Sequence, residues 1–504
     1  MKNYSNSNIL KNLRKKNKNK KIGLCHGVYD IFHHGHLEHL KSAKSLCDIL
    51  VVSITEDKFI NKGPGRPYHT EIQRAEILES MNLVDLVFIA RSESAVEVIA
   101  DLKPDFYIKG KDYKNLKSDE SKKILLEKKA IQKVNGRIIF TNNQLKSSTA
   151  IYNDFIVERT PEEEKIIRNI KNKFKLDEIL TILDRFIEQD VLIVGEPIID
   201  QYIYGDARGL SNKSSNVSIG KTHQENLLGG SLAIARDIHN LGSKVKLISA
   251  NYKNVNFFKE IRNKLPKNIK WINMNLKGCE LPIKTRFVTA NHAQKLFEIS
   301  NIKNTNYWSR EKIDDFFKII KKELKPSTIL VLADYGHGLF SSELIKKIES
   351  IRNFTVLNAQ TNSNNLGYNY FTKYKKYNYL SIDENEFRLG VGDRYNKINT
   401  LISKSVKNRV IKAPFAVTTG IKGSHFINKK QKLHSCPIFY KNVKDTTGAG
   451  DAFFGITSLL VKQNVDPDLI FLGNCYAGLK CQYIANKDSS SLLDLKNVIK
   501  SILR

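Results

Sequence analysis

The chain is 504 residues long with 41% hydrophobic content, enough for two domains with ordinary cores. Its formal net charge of +30 comes from 82 Lys and Arg against 52 Asp and Glu. The lysines are spread through every segment among asparagine and isoleucine, so the charge reads as a compositional bias and no nucleic-acid partner is expected. The six cysteines (Cys25, Cys47, Cys279, Cys436, Cys475, Cys481) form no Cys-x-x-Cys pair, which argues for reduced thiols and against a disulfide frame or zinc site. No apolar run reaches membrane-spanning length and the polar N-terminus lacks the apolar region of a signal peptide, so a cytoplasmic protein with no membrane partner is expected.

Residues 1–20, with Lys15, Lys16, Lys18 and Lys20, read as a solvated and flexible basic lead-in. From about residue 21 to 158, short apolar runs alternate with helical patterns. Ile49 to Ile54, Leu86 to Ala90, Phe106 to Ile108 and Arg137 to Phe140 read as strands. Glu71 to Met81, Ala95 to Leu102 and Ser121 to Val134 read as helices. Such alternation predicts an α/β fold with a parallel sheet, whose ligands bind beyond the carboxyl ends of the strands. The stretch Gly27 to His36 lies at the first of these ends, and Gly27, Tyr29 and Asp30 belong to the candidate nucleotide site with it. Glycine lets a phosphate approach backbone, a helix start offers free N–H groups, and His33 and His36 can donate to a phosphate during transfer. A surface histidine cluster or adventitious metal site is the alternative. Lys62 to Pro67 with Arg74, Lys109 to Tyr113, and Lys146 to Thr149 are three further cationic or hydroxyl-bearing turns on the same edge.

Residues 22–157 resemble the nucleotidyltransferase family that includes glycerol-phosphate cytidylyltransferases and the adenylyltransferase half of bacterial ADP-heptose synthase. The resemblance rests on His33 to His36, Lys62 with Gly65-Arg66-Pro67, Pro104-Asp105 to Tyr113, and Ser148-Thr149, and Ser147 departs from the family's usual Ser-Thr-Thr. It implies attack of a sugar-phosphate oxygen on the α-phosphate of a nucleoside triphosphate, ATP or CTP, with loss of pyrophosphate. His33, His36 and Lys62 would then contact and balance the triphosphate, and Ser148 and Thr149 would bind it from a helix start.

Residues 159–187 read as a helical linker, with Thr160 as N-cap, Pro161 at the first helical position, and an apolar register of Leu176, Ile179, Leu180, Leu183 and Ile187. Residues 188–504 repeat the strand–helix alternation, with strand-like runs at Val191 to Val194, Val245 to Ser249, Ile329 to Ala333, Thr355 to Leu357 and Phe415 to Thr418. Their chemical centre is Asp445-Thr446-Thr447-Gly448-Ala449-Gly450-Asp451. Gly448, Ala449 and Gly450 make a nest of N–H groups for a phosphate, and Asp451 beside it can take a proton from an attacking hydroxyl.

That heptad resembles the signature of ribokinase-like carbohydrate kinases, and with Asp200, Gly229-Gly230, Asp334-Tyr335-Gly336 and Thr419-Gly420 it is most similar to the kinase half of ADP-heptose synthase. The resemblance implies two doubly wound domains, a Rossmann-like nucleotidyltransferase followed by a ribokinase-like fold, in the reverse of that enzyme's order. It assigns Asp200, Gly229, Gly230 and Asp451 to the sugar, and Thr419, Gly420 and Gly423 to ATP. Asp383 and Glu386 stand where the family places groups near Mg²⁺. Ser211 to Val217 differs from the family's Ser-Pro-Glu-Ala-Pro-Val-Pro-like segment, and His337 stands where lysine is usual. The implied partners are a sugar or sugar phosphate and a nucleoside triphosphate, and the implied product is a nucleotide sugar for lipopolysaccharide or another surface glycan. Two alternatives stay open: another sugar or polyol phosphate with CTP, and a non-catalytic kinase half serving as a sugar-binding or oligomerisation module; a nucleic-acid-binding role is a distant third, and the oligomeric state, a homo-oligomer included, stays open.

Overall fold

The computed structural model describes residues 4–60, 66–110, 123–141, 159–210, 217–251, 255–276, 279–289, 295–301, 308–362, 365–411, 414–439 and 443–503. The chain divides into two compact units, Met1–Arg159 with Lys496–Arg504, and Thr160–Leu495.

The first unit is built on β1 (Ile22–Gly27), β2 (Ile49–Thr55), β3 (Leu86–Ala90), β4 (Phe106–Gly110) and β5 (Arg137–Thr141). Their order is β3-β2-β1-β4-β5 and every pairing is parallel. Its helices are α1 (Ser7–Lys16), α2 (His34–Lys44), α3 (Glu71–Glu79), α4 (Val96–Leu102) and α5 (Lys123–Lys133). Successive side chains of a strand face opposite sides, so β2 feeds two cores. Ile49 and Val51 pack with Leu10, Ile99, Leu102 and Ile131 on one face. Leu50, Val52 and Ile54 pack with Leu40, Ala43, Ala75 and Leu78 on the other. This is the parallel sheet expected from the alternation, doubly wound as the resemblance implies, with its strand order reversing between β1 and β4.

The basic lead-in is not the flexible segment expected. Asn6 caps α1 by accepting from the Asn8 N–H at 3.1 Å. Leu10 is fully buried, Lys11 pairs with Asp101 at 3.2 Å, and Arg14 pairs with Asp105 at 2.9 Å. Lysine density concealed one apolar stripe, while Lys15, Lys16, Lys18 and Lys20 do lie exposed.

In the second unit, Thr160 and Glu163 form a reciprocal capping box on the helix Pro161–Lys173. The next helix, Leu176–Asp184, buries Ile179, Leu180 and Leu183, and Ile182 accepts a hydrogen bond from Gln463 at 3.2 Å. These helices therefore belong to the second unit's own packing. Ile187, counted into their apolar face, is instead 62% exposed.

The strands that follow are β6 (Asp190–Gly195), β7 (Pro197–Leu210), β8 (Val217–Gly230), β9 (Lys244–Ala250), β10 (Lys270–Met274), β11 (Ile283–Thr289), β12 (Lys295–Asn301), β13 (Ile329–Asp334), β14 (Thr355–Ala359), β15 (Tyr379–Asp383), β16 (Phe415–Thr418), β17 (Ser424–Ile427) and β18 (Leu433–Cys436). A large sheet runs β10-β9-β6-β13-β14-β15-β16-β17-β18, parallel as far as β16 and antiparallel beyond it. A small sheet runs β12-β11-β7-β8. The chain passes from β6 to β7 through the single residue Glu196 and returns to the large sheet through Gly230 and the helix Ser231–Asn240.

Replacing Leu10 by Ala removes a fully buried side chain from the first unit's core. It should lower that unit's stability by about 3 kcal/mol, read as a lower denaturant midpoint. An unchanged midpoint would mean that α1 adds nothing to the fold.

Candidate functional sites

In the first unit the candidate site gathers beyond β1, at the reversal of strand order where open α/β sheets bind ligands. His33 caps α2, its Nδ1 accepting from the Gly35 N–H at 3.1 Å. With Nδ1 accepting, the neutral ring carries its proton on Nε2. His36 stacks on it with ring centroids 3.9 Å apart, and Tyr29 and Phe32 flank His36 at 5.2 and 5.4 Å. Tyr29 has a left-handed backbone (φ 49°), which tucks its ring beneath the turn and leaves a Cβ on Gly27 only 3.1 Å from it. The structure thus brings Gly27, Tyr29, His33 and His36 together. Among the described residues no cluster of three or more metal-ligating side chains occurs.

Three charged residues expected at phosphate are committed elsewhere. Asp30 is 1% exposed, pairs with Arg66 Nε, and accepts the Tyr68 and His69 N–H groups at 2.8 and 3.1 Å. It anchors the turn at residues 66–69, and a carboxylate would in any case repel phosphate. Arg74 is fully buried and donates to the carbonyls of Val28 (2.5 Å), Thr55 (2.8 Å) and His69 (3.2 Å) and to Asp57 (2.6 Å). It ties the loop after β1 to the end of β2 and presents no charge to a ligand. Lys109 places Nζ 3.3 Å from the buried Glu127. Lys62, Ser148 and Thr149 lie outside the described residues.

Beside these, sequence reasoning passed over His26, whose Nδ1 meets Ser53 Oγ at 2.7 Å in a buried pair. His39 is likewise buried and hydrogen-bonded to Thr141 at 2.9 Å. Burial, then the Lys109 charge, push its pKa down from 6.5 to about 4.

The second unit's site lies beyond the carboxyl ends of β6, β13, β14 and β15. Gly448 opens the helix Ala449–Lys462 in a left-handed conformation (φ 81°), and a Cβ there would come 2.4 Å from Asn486 Oδ1. At this helix start the Ala449 N–H donates to the Thr446 carbonyl at 3.2 Å, and the N–H groups that follow in the first turn have no partner within the helix. Asp451 sits in that turn, and its Oδ1 accepts from Tyr335 Oη at 2.9 Å and Gln360 Nε2 at 2.7 Å. Burial pushes its pKa up to about 6, against the lowering effect of those two donors.

Behind this stands Glu196, fixed by the N–H groups of Tyr335, His337 and Leu339 at 2.7, 2.9 and 2.8 Å. Burial and the neighbouring Asp334 push its pKa up to about 7. Its only sequence signal was a carboxylate directly after a strand buried on both faces. Asp334 is held by Tyr374 Oη at 2.7 Å and Lys373 at 2.6 Å.

Asp200 on β7 accepts from Arg286 at 2.6 Å and Asn486 at 2.9 Å, and Gly229 has no room for a Cβ, which would lie 2.5 Å from Asp200 Oδ2. Gly230 turns the chain at φ 56°. Arg286 on β11 also reaches Glu298 at 2.9 Å, so two carboxylates share its charge. Lys295 on β12 reaches Asp445 at 2.9 Å and Thr447 at 2.7 Å.

A cavity of about 190 Å³ is lined by Asp451, Gln360, Gly448, Gly450, Asp383 and Glu386. A second, of about 480 Å³, is lined by Thr419, Gly420, Gly423, Ala449, Gly450 and Phe453 among others. Asp383, Thr418 and Gly450 line both. Asp383 and Glu386 form a capping box: Asp383 Oδ1 accepts the Glu386 N–H at 2.8 Å and Glu386 Oε2 accepts the Asp383 N–H at 2.9 Å. Glu386 Oε1 accepts the Thr361 N–H at 3.0 Å. Burial, then Asp383, push the Glu386 pKa up to about 8, so it holds a proton near neutrality. A hard cation needs several charged or carbonyl oxygens, and this pair does not by itself fit the Mg²⁺ site expected of it.

The two units are thus two phosphate-handling α/β sites on one chain, of the nucleotidyltransferase and sugar-kinase classes. Residues 24–154 match the cytidylyltransferase-like family, and residues 188–491, more than half the chain, match the pfkB family of carbohydrate kinases. The chain belongs to the pfkB carbohydrate kinase family, with a cytidylyltransferase-like domain ahead of the kinase domain; both are transferases.

Among similar proteins, bifunctional protein HldE of Paramagnetospirillum magneticum is 43% identical over 102 residues, 20% of this chain and 21% of that protein. Bifunctional protein HldE of Campylobacter jejuni strain RM1221 is 40% identical over 116 residues, 23% of this chain and 25% of that protein. The matches therefore take in a fifth to a quarter of these relatives. Phosphofructokinase-2 from Escherichia coli, in complex with substrates and products, is 12% identical with a TM-score of 0.50, over 62% of this chain and all of that one (100%). Arabidopsis thaliana ribokinase complexed with ribose and ATP is 15% identical with a TM-score of 0.47, over 62% and 99%. The phosphofructokinase likeness extends the fold assignment to the second unit.

The position of His39 sets a pH dependence of stability. The folded chain takes up that proton only near pH 4, the unfolded chain near 6.5, so the stabilisation is complete above 6.5 and is lost as pH falls towards 4. His39→Gln should remove up to roughly 3 kcal/mol of this acid-induced loss, measured by denaturant unfolding at pH 7 and pH 4.5. A parallel loss in both proteins would assign the effect to other groups.

Proposed function

We propose that the protein makes a nucleotide-activated sugar through two successive transfers. In the kinase half, ATP phosphorylates a sugar or sugar phosphate at the anomeric hydroxyl. In the first half, a nucleotidyl group passes from ATP or CTP to a sugar 1-phosphate and pyrophosphate leaves. The observation that carries the reading is Asp451. It is a buried carboxylate in the first turn of a glycine-led helix, one oxygen held by two neutral donors, beside a cavity lined by Gly448 and Gly450.

In this reading the sugar hydroxyl attacks the γ-phosphorus of ATP, the P–O bond to ADP breaks, and Asp451 takes the hydroxyl proton. A pKa raised to about 6 leaves the carboxylate ionised at neutral pH yet basic enough for the task. Gly448, Ala449 and Gly450 receive the transferred phosphoryl group, and Thr419, Gly420 and Gly423 border the nucleotide in the larger cavity. Asp200, held by Arg286 and Asn486, with Gly229 and Gly230 shapes the sugar pocket.

In the first half His33 and His36 stabilise the triphosphate as the α-phosphorus becomes five-coordinate, with Lys62, Ser148 and Thr149 completing the grip. The stacked histidines beside the first turn of α2 support this reading. The relatives named bifunctional protein HldE suggest an ADP-heptose-like product, destined for lipopolysaccharide or another surface glycan.

The full chain should release pyrophosphate from one nucleotide and sugar 1-phosphate pair in a matrix of both, and ADP from ATP with one sugar. His36→Ala should lower pyrophosphate release by about a hundred-fold or more while sugar-dependent ADP formation persists. Asp451→Asn should do the reverse. Loss of both activities in either variant would contradict two separate sites, and pyrophosphate release by His36→Ala at the wild-type rate would remove the nucleotidyl-transfer assignment.

A further inference from the structure

The carboxylate of Asp451 is held with more care than proton acceptance alone requires. Two donors converge on one oxygen, Oδ1: the phenol of Tyr335 at 2.9 Å and the amide of Gln360 at 2.7 Å. Each donor is itself fastened. Tyr335 is 4% exposed, donates its N–H to Glu196 at 2.7 Å, and its carbonyl accepts from Asn362 and Asn365 at 2.9 and 2.8 Å. Gln360 donates its N–H to the Asp334 carbonyl at 2.8 Å, its carbonyl accepts from Asn369 at 2.9 Å, and its side-chain amide also meets Asn358 at 2.8 Å. Asn358 in turn donates to the Ser381 carbonyl at 2.8 Å. The base is thus tied to residues at the ends of β13, β14 and β15 through fixed neutral groups.

A carboxylate free to rotate offers either oxygen at a range of angles. One bound twice through Oδ1 offers Oδ2 in a single direction. We propose that Tyr335 and Gln360 are positioning residues of the kinase site, clamping Asp451 by Oδ1 so that Oδ2 alone accepts the sugar hydroxyl proton. The inference rests on the reading of Asp451 as the base.

The clamp acts on protonation as well as direction. Asp451 is buried and faces the negative charges of Asp237 and Asp200, with the protonated Glu386 and the cation of Lys480 nearby and Tyr335 the titratable neighbour in contact. Burial and those carboxylates favour the protonated, inactive acid. Hydrogen bonds donated to the ionised form oppose them. Removing a donor therefore raises the pKa of the base, and the acid limb of the rate profile moves to higher pH.

The test is steady-state ADP formation by the full chain from pH 5 to 9, comparing wild type, Tyr335→Phe, Gln360→Met and Asp451→Asn. Each donor deletion should lower kcat about ten- to hundred-fold, leave the sugar KM within about twofold, and move the acid limb upwards. Pyrophosphate release by the first domain serves as the internal control for intact protein. Wild-type kcat and an unmoved acid limb in Gln360→Met, or in a folded Tyr335→Phe, would overturn the clamp. If Tyr335→Phe fails to fold, the half-buried Gln360 decides alone. Absence of sugar-dependent ADP from the wild type, or its survival in Asp451→Asn, would instead overturn the assignment of the base and the clamp with it.

Discussion

A carboxylate removed from water fixes the second unit's site. Glu196 is 4% exposed and lies where the chain leaves the large sheet for the small one. A buried carboxyl group needs hydrogen bonds to remain in the fold. It finds three backbone N–H groups, all from the loop after β13. Satisfying the carboxylate thereby sets the path of that loop, and the path puts the Tyr335 hydroxyl on Asp451. The setting of Asp451 thus descends from a solvation requirement one strand away.

Both units place their chemistry by the same rule and equip it differently. In each, a parallel sheet delivers loops to its carboxyl edge at a point where neighbouring strands diverge. The first unit puts aromatic and imidazole rings there, stacked on a helix start. The second puts a glycine-led helix start there, with a carboxylate in its first turn. The small sheet of the second unit reaches back to this edge through Arg286 to Asp200 and through Lys295 to Asp445 and Thr447. Its two strands β11 and β12 therefore reach both Asp200 and the segment that leads into the glycine-led helix.

Much of the fold was legible because parallel strands buried on both faces read as continuous apolar runs. Ile49 to Ile54 and Leu86 to Ala90 fall on β2 and β3 almost residue for residue. The small sheet was largely missed. Its strands β7 and β8 mix Asp206, Arg208, Lys221 and Gln224 with apolar residues, a pattern that lacks the buried-strand signature. At the sites, residue type was legible and partner was not. Arg74 and Lys109 carry the right charge for a phosphate turn, but a fan of carbonyls and Glu127 engage them, and Asp30 is taken by Arg66. Asp383 and Glu386 look like cation ligands at three-residue spacing, the same spacing that makes a capping box. Gln360 carries no local signal at all; only the folded sheet brings it to Asp451.

The N-cap of α2 has a consequence for aim. His33 holds the Gly35 N–H with the lone pair of Nδ1, so the rotation of its ring is set by the backbone of the first helical turn. His36 stacks on that ring at 3.9 Å and takes its orientation from the same source. Two imidazoles are thereby pointed by one backbone hydrogen bond, and a change in the first turn of α2 would turn both rings together.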